Sequence, residues 1–223
     1  MVALALLSTA SAAEWWLPDT AQVPAQGQAI LALPTAASSW GLSERTALVV
    51  TPFAMRVGGP RLGVVHAVPL GAWQITVEPS LGVKVQGTQG LAELALRGGR
   101  TWQSGRLDLS LSPSLRLDRQ RSLGEEVHIA YQQARSHVPL TVAYSHLFAR
   151  NALTVSAQLM LWDESVPFSM GLGGVDWSHR WQHLQVSVGL HGMVGTPSEQ
   201  LFLGSYLHPI VAAYPTFGLW WLA

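Results

Sequence analysis

The chain has 223 residues, with 13 basic and 13 acidic side chains, no cysteine and ten tryptophans. Only 12% of the residues are charged although 48% are hydrophobic, and that charged share is about half that of an ordinary soluble domain. The balanced charge argues against a nucleic-acid partner, which needs a clustered basic excess, and the lack of cysteine excludes disulfides, thiolate metal sites and cysteine nucleophiles.

The chain begins with the pattern of an export signal. A short apolar run leads into small residues, and Ala10 with Ala12 forms an A-x-A site of the kind that signal peptidases cut. We therefore interpret residues 1–13 as a secretory signal peptide and residues 14–223 as one mature domain. The alternative is that residues 3–13 form a buried strand or the start of a helix.

Most of the remaining chain alternates apolar with polar residues, which is typical of strands whose two faces meet different surroundings. The alternation is longest over 73–86 and 106–118, where neither register slips. At roughly 3.4 Å per residue each run spans about 45 Å, which favours a barrel over a sandwich. Further strands are predicted at 28–34, 45–53, 61–68, 91–97, 127–134, 138–145, 153–161, 166–177, 183–191, 201–207 and 214–223.

Short connections between these runs predict an antiparallel up-and-down sheet. Turn residues occur at Gly98-Gly99 and at 137–139, and the polar stretch 118–126 predicts a solvent-exposed loop. The runs number thirteen, but single-chain bacterial barrels normally have an even count. We expect twelve strands, with ten as the alternative, and 201–207 as a loop or part of a neighbouring strand.

The residue types indicate which face of the predicted sheet meets lipid and which faces the lumen. No stretch of eighteen apolar residues predicts a spanning helix, and a closed barrel is the other structure that satisfies its backbone in lipid. Ser, Thr, Gln and Gly dominate the polar face, as suits a crowded lumen. The ionisable residues predicted to face that lumen are Glu78, Lys84, Glu93, Arg97, Arg106, Asp108 and Arg116. Two interpretations stay open: a salt-bridged filling of the barrel, or a constriction that selects solutes by charge.

Tryptophans lie at or near the ends of the predicted strands, where the aromatic girdle of a membrane barrel belongs. The predicted girdle consists of Trp73, Trp102, Trp162, Trp177, Trp181, Trp220 and Trp221. The alternative is that they are core aromatics of a soluble fold.

The carboxyl-terminal segment 214–223 resembles the final strand of bacterial outer-membrane β-barrel proteins, which such proteins present to the barrel assembly machinery. Thr216, Gly218 and Trp221 match that pattern, whereas Ala223 departs from the usual terminal Phe or Trp. The segment 40–45 is similar to short turns of these proteins. The resemblance implies a transmembrane barrel, assembled by that machinery, in the outer membrane of a Gram-negative bacterium.

The spacing of the histidines does not favour a catalytic or metal site. Ser145 and His146 adjoin, but neighbours on a strand face opposite sides and cannot form a nucleophile–base pair. His183 and His191 are about 27 Å apart along a strand, too far for one metal ion. We expect no catalytic residue, metal or cofactor.

The sequence thus predicts an envelope structural component or a narrow, porin-like solute channel. We further expect the protein to belong to a larger envelope complex. Its predicted partners are outer-membrane lipid, the assembly machinery and envelope proteins, without nucleic acid. The alternatives are an outer-membrane lipid-modifying enzyme and a secreted soluble lipid-binding β-protein.

Overall fold

A computed structural model describes residue 17 and residues 20–33, 37–54, 59–83, 89–121, 130–163, 171–195 and 210–223. The strands are β1 (Ala29–Leu33), β2 (Ser38–Ser43), β3 (Thr46–Ala54), β4 (Gly59–Leu70), β5 (Trp73–Val83), β6 (Gln89–Trp102), β7 (Gly105–Leu111), β8 (Ser114–Arg121), β9 (Ala130–Phe148), β10 (Asn151–Asp163), β11 (Gly171–Trp181), β12 (Leu184–Gly195) and β13 (Ile210–Leu222). Within those residues, no helix is long and apolar enough to span a membrane.

The strands form one closed antiparallel barrel of twelve positions. Apart from β7 and β8, consecutive strands pair with each other, and β1 pairs with β13 to close the sheet. Two of the thirteen strands, β7 and β8, lie end to end between β6 and β9, separated by Ser112-Pro113, and so occupy one position. The predicted twelve-stranded up-and-down barrel is confirmed.

Several local predictions are wrong. Residues 40–43, predicted as part of a turn, belong to the short strand β2, and only Glu44-Arg45 make the turn. Gly98-Gly99 and residues 137–139 lie inside β6 and β9 instead of breaking them. These segments remain extended despite their turn residues, because the neighbouring strands satisfy the backbone hydrogen bonds on both sides. Of the predicted loop 118–126, residues 118–121 extend β8, and the rest lies outside the described residues.

The two ends of the barrel differ in their connections. Five two-residue turns lie at one end, together with the start of β1 and the end of β13, and we call this the short-turn end. Gly71 in one of these turns has a φ of 60°, and Ala149 in another has a φ of 41°. The other strand ends, between which the longer connections run in the sequence, lie at the opposite end, which we call the long-loop end. Short turns at one end of the barrel and longer connections at the other are typical of bacterial membrane barrels.

The two faces of the sheet differ in polarity along most strands, whereas the inner faces of β1 and β3 are largely apolar, with Ile30 and Val49 buried. In β5, Leu81 and Val83 are exposed on the outside, whereas Thr76, Glu78 and Ser80 are buried on the inside. Large apolar side chains are exposed on the outer face of every strand from β1 to β13. The barrel therefore encloses polar side chains and presents a hydrophobic exterior.

Candidate functional site

A segment that belongs to no strand lies inside the short-turn end. It consists of residue 17 and residues 20–28, and we call it the plug. Leu17 is buried against Leu147 and Ala152, which point inward from β9 and β10. Across the lumen, Val23 packs against the buried side chains of β3 and β4, namely Ala47, Val49 and Val65. The plug therefore contacts widely separated parts of the barrel wall.

The plug passes directly over Gly41 of β2. The Gly27 amide donates to the Gly41 carbonyl at 2.9 Å, and the Gly41 amide donates to the Gln28 carbonyl at 2.9 Å. A Cβ atom on Gly41 would overlap the backbone carbonyl of Ala25. Glycine at this position thus gives the plug the room that it occupies.

A buried ion pair joins the wall to the plug. Arg106 donates to Asp108 through Nε at 2.7 Å and through Nη2 at 2.8 Å, and both side chains are less than 5% exposed. The Ala21 amide of the plug donates to Oδ1 of the same carboxylate at 3.1 Å. A Cβ on Gly99 would overlap Arg106, so this glycine makes space for the pair. Asp108 therefore connects an arginine of the wall with the backbone of the plug.

The inner faces of β4 to β7 form what we call the ion-paired wall. Besides the Arg106–Asp108 pair, Arg61 contacts Glu78 and also donates to Glu93 at 3.0 Å. Arg97 donates to the second oxygen of Glu78 at 2.6 Å. The structure thus brings Glu78, Glu93 and Arg97 together around Arg61. Arg61 was not among the residues predicted to face the lumen. The small inward residues Gly63 and Ala67, alternating with Leu62 and Val64, are the signal that could have placed Arg61 on this face.

The inner faces of β9 to β13 form a second surface, which we call the hydroxyl wall. Over its middle and toward the long-loop end its side chains are half-buried, and they are mostly small and uncharged. These half-buried residues include Thr141, Thr154, Ser156, Gln158, Asp176, His191 and Thr216. Nearer the short-turn end the wall is fully buried at Ser145, Ser178, Gln185 and Ser187. Water can therefore reach the half-buried part of this wall.

One acidic side chain lies in the half-buried part of the hydroxyl wall. Asp176 Oδ2 is 2.8 Å from His191 Nε2, and Thr216 donates to Asp176 Oδ1 at 2.9 Å. The Asp176 and His191 side chains are 23% and 22% exposed. A Cβ on Gly189 would overlap the Asp176 carboxylate, and one on Gly174 would lie 2.5 Å from the His191 ring. The two glycines let this cluster lie flat against the sheet.

The predicted aromatic residues are divided between the two faces. Trp102, Trp177, Trp181 and Trp221 are exposed on the outer face near the short-turn end, and Trp73 is half-buried. Trp102 stacks on Tyr144 at 6.2 Å, and the His179 ring lies 4.4 Å from that of Trp181. The side chain of Trp162 lies outside the described residues.

Trp220 is a correction to the predicted girdle. Its side chain is 3% exposed and packs inside the barrel with Ile30 and Ala32. Adjacent residues of a strand face opposite sides, so Trp220 and Trp221 cannot both face outward. A Cβ on Gly218 would overlap the Trp220 ring. Thr216 and Gly218, proposed as an assembly signal, therefore also have packing roles in the lumen.

The other predicted site residues are dispersed. Ser145 is buried inside and hydrogen-bonded to Thr154 at 2.8 Å, whereas the His146 ring packs against Phe148 on the outer face. No group of three or more potential metal ligands occurs among the residues that the structure describes. Lys84 and the side chain of Arg116 lie outside the described residues.

Comparison with protein families, with curated proteins and with solved structures finds no match. Function is therefore inferred from the lumen. Its half-buried hydroxyl wall can hydrogen-bond water and small polar solutes, while the plug packs against the inner wall at the short-turn end.

Proposed function

We propose that the protein is an outer-membrane barrel that forms a narrow solute channel, closed at the short-turn end by the plug. Insertion in lipid is supported by the apolar side chains exposed on the outside of every strand. A monomeric soluble protein rarely exposes a contiguous apolar patch above a few hundred Å². Outer-membrane lipid, the assembly machinery and envelope proteins remain the predicted partners.

The observation that carries the channel is the half-buried hydroxyl wall above the plug. Side chains such as Ser156 and Thr216 are accessible to water inside a barrel whose other wall is filled by ion pairs. A barrel that served only as a filled scaffold would bury both inner walls alike, as eight-stranded barrels do. Water reaches the hydroxyl wall but not the ion-paired wall, and this difference supports a passage along the hydroxyl wall.

The plug is suited to act as a gate because its residues 17 and 20–26 lie outside the strand pairing of the wall, whereas Gly27 and Gln28 continue the β1–β2 pairing through Gly41. The described hydrogen bonds of the plug to the barrel include that of Ala21 with Asp108. Displacing residues 17 and 20–26 therefore leaves the strand ladder of the barrel intact. Opening requires loss of the bond between Ala21 and Asp108 and of the apolar contacts of Leu17 and Val23.

Gly41→Leu tests the gate. The added side chain overlaps the plug backbone, and overpacking of this kind costs about 2 kcal/mol, or roughly thirtyfold in the ratio of open to closed states. We expect planar-bilayer recordings to show a correspondingly higher open probability. Gly173→Leu is the matched control, because a Cβ there lies on the outer face and meets nothing nearer than 3.6 Å. Folding of each variant is checked by the heat-modifiable gel shift of intact barrels.

A structural envelope barrel is the second candidate, favoured by the buried ion pairs of the ion-paired wall. The same recordings separate the two functions. If wild type and Gly41→Leu are both folded and neither conducts, the channel is excluded and the structural function remains.

A further inference from the structure

We infer that Asp176 gives this channel a preference for cations, an inference that rests on the proposed function. Charge selection was one prediction for seven lumen-facing residues, of which Lys84 and the side chain of Arg116 lie outside the described residues. The other five are paired on the ion-paired wall, where each carboxylate contacts at least one arginine. Because the opposite charges lie within hydrogen-bond distance, their fields largely cancel in the space beyond them.

Asp176 differs from those carboxylates in its surroundings. It lies in the half-buried part of the hydroxyl wall, where water and solute have access. Its nearest described inward neighbours on β10 are Thr154 and Ser156, neither of which is ionisable. The Thr216 hydroxyl donates to it without adding charge. His191 Nε2 lies 2.8 Å from Asp176 Oδ2, which leaves Oδ1 to the Thr216 hydroxyl and to the lumen.

The glycines beside Asp176 make this position suitable for contact with a passing ion. Because Gly174 and Gly189 have no side chains, His191 and Asp176 lie against the sheet and do not project across the lumen. The carboxylate is thus on the side of the passage and not an obstruction within it. A fixed charge beside a narrow, partly desolvated passage attracts ions of opposite sign and repels those of the same sign.

The test is the reversal potential in planar bilayers under a KCl gradient at pH 8.5. We expect the wild-type protein to favour K⁺ over Cl⁻ by about threefold, as one partly screened carboxylate would. Asp176→Asn keeps the size of the side chain and removes its charge, so the permeability ratio is expected to fall to about one. Gly41→Leu provides the same measurements in a background with more frequent openings.

Moving the charge distinguishes an electrostatic effect from a structural one. Ser156 of β10 lies directly opposite Gly174 of β11, and it is also half-buried inside the lumen. In the double variant Asp176→Asn with Ser156→Asp, the preference for K⁺ is expected to return. It should also weaken between 0.1 M and 1 M salt, because the screening length falls from about 10 Å to about 3 Å.

The possible results have separate meanings. A wild-type ratio near one, or an unchanged ratio in Asp176→Asn, would overturn the role of Asp176 while leaving the channel in place. A ratio that collapses in Asp176→Asn and is not restored by Ser156→Asp would mean that the residue acts through packing. Absence of conductance from every folded variant would overturn the proposed function and this inference together.

Discussion

The ion-paired wall and the hydroxyl wall are both polar inner surfaces of one barrel, yet they satisfy their polar groups differently. On the first, Arg61, Glu78 and Arg97 are packed together away from water. On the second, hydroxyl and amide groups remain accessible, and Asp176 is shared between an imidazole and a hydroxyl. The comparison indicates that paired charged side chains fill the interior along the ion-paired wall, whereas small neutral side chains leave the hydroxyl wall accessible to water.

The largest difference between the walls is expected in stability. Glu78→Ala leaves the guanidinium groups of Arg61 and Arg97 without their shared partner, and breaking a buried pair in this way costs about 3–5 kcal/mol. Asp176→Ala removes a carboxylate that water can replace, so we expect a loss of about 1 kcal/mol or less. Urea titration of the barrel in detergent micelles gives both free energies of unfolding. Equal losses would contradict the distinction between the walls.

A smaller effect is expected where the ion-paired wall holds the plug. Asp108→Asn keeps an oxygen that can accept from the Ala21 amide but loses the charge that binds Arg106. Hydrogen bonds to charged groups contribute about 1.5–3 kcal/mol and neutral ones about 0.5–1.5 kcal/mol, so the loss of about 1 kcal/mol should make release of the plug about fivefold more frequent. In a chain without native cysteine, Ala21→Cys reports this release through its rate of reaction with a maleimide.

The control for plug release is on the other wall. Asp176→Asn in the same Ala21→Cys background should react at the parent rate, since Asp176 makes no described contact with the plug. If Asp108→Asn also reacts at the parent rate, the Arg106–Asp108 pair does not hold the plug.

The smallest expected effect compares two turns of the short-turn end. Ala149, between β9 and β10, has a φ of 41°, where an L-residue with a Cβ is strained. Ala149→Gly should raise the free energy of unfolding by about 0.5 kcal/mol, after the greater freedom of glycine in the unfolded chain is subtracted. Ala72→Gly, in the turn between β4 and β5, is the control because Ala72 has no positive φ, and it should be slightly destabilising. A lower stability of Ala149→Gly would refute this account of the turn.

The fold could be predicted because alternation is a local property of each strand. Leu81 and Val83 alternate with Ser80 and Gly82, so the two faces can be separated without knowing the neighbouring strand. The same rule, applied strictly, would have placed Trp220 inside. The predicted number of twelve agrees with the structure, but the strands do not match one for one, because β2 was not predicted and the predicted strands 127–134 and 138–145 fall, where described, in the single strand β9.

The candidate site could be predicted only in part, because its contacts join distant positions. Asp176 and Thr216 are 40 residues apart, and their hydrogen bond depends on the registers of two strand pairs. The plug has no periodic pattern, and its place is fixed by contacts such as Ala21 with Asp108, 87 residues away. Contacts between residues this far apart in the chain leave no local sequence pattern from which they could be predicted.

The position of the plug has a consequence for the order of folding. It precedes β1 in the chain, yet its contacts reach Gly41 on β2, Asp108 on β7 and Leu147 on β9. The seam between β1 and β13 closes only when the last strand is available. The plug, although it precedes β1, therefore completes its described native contacts only once β9 and β10, late in the chain, have been synthesised and have taken their places.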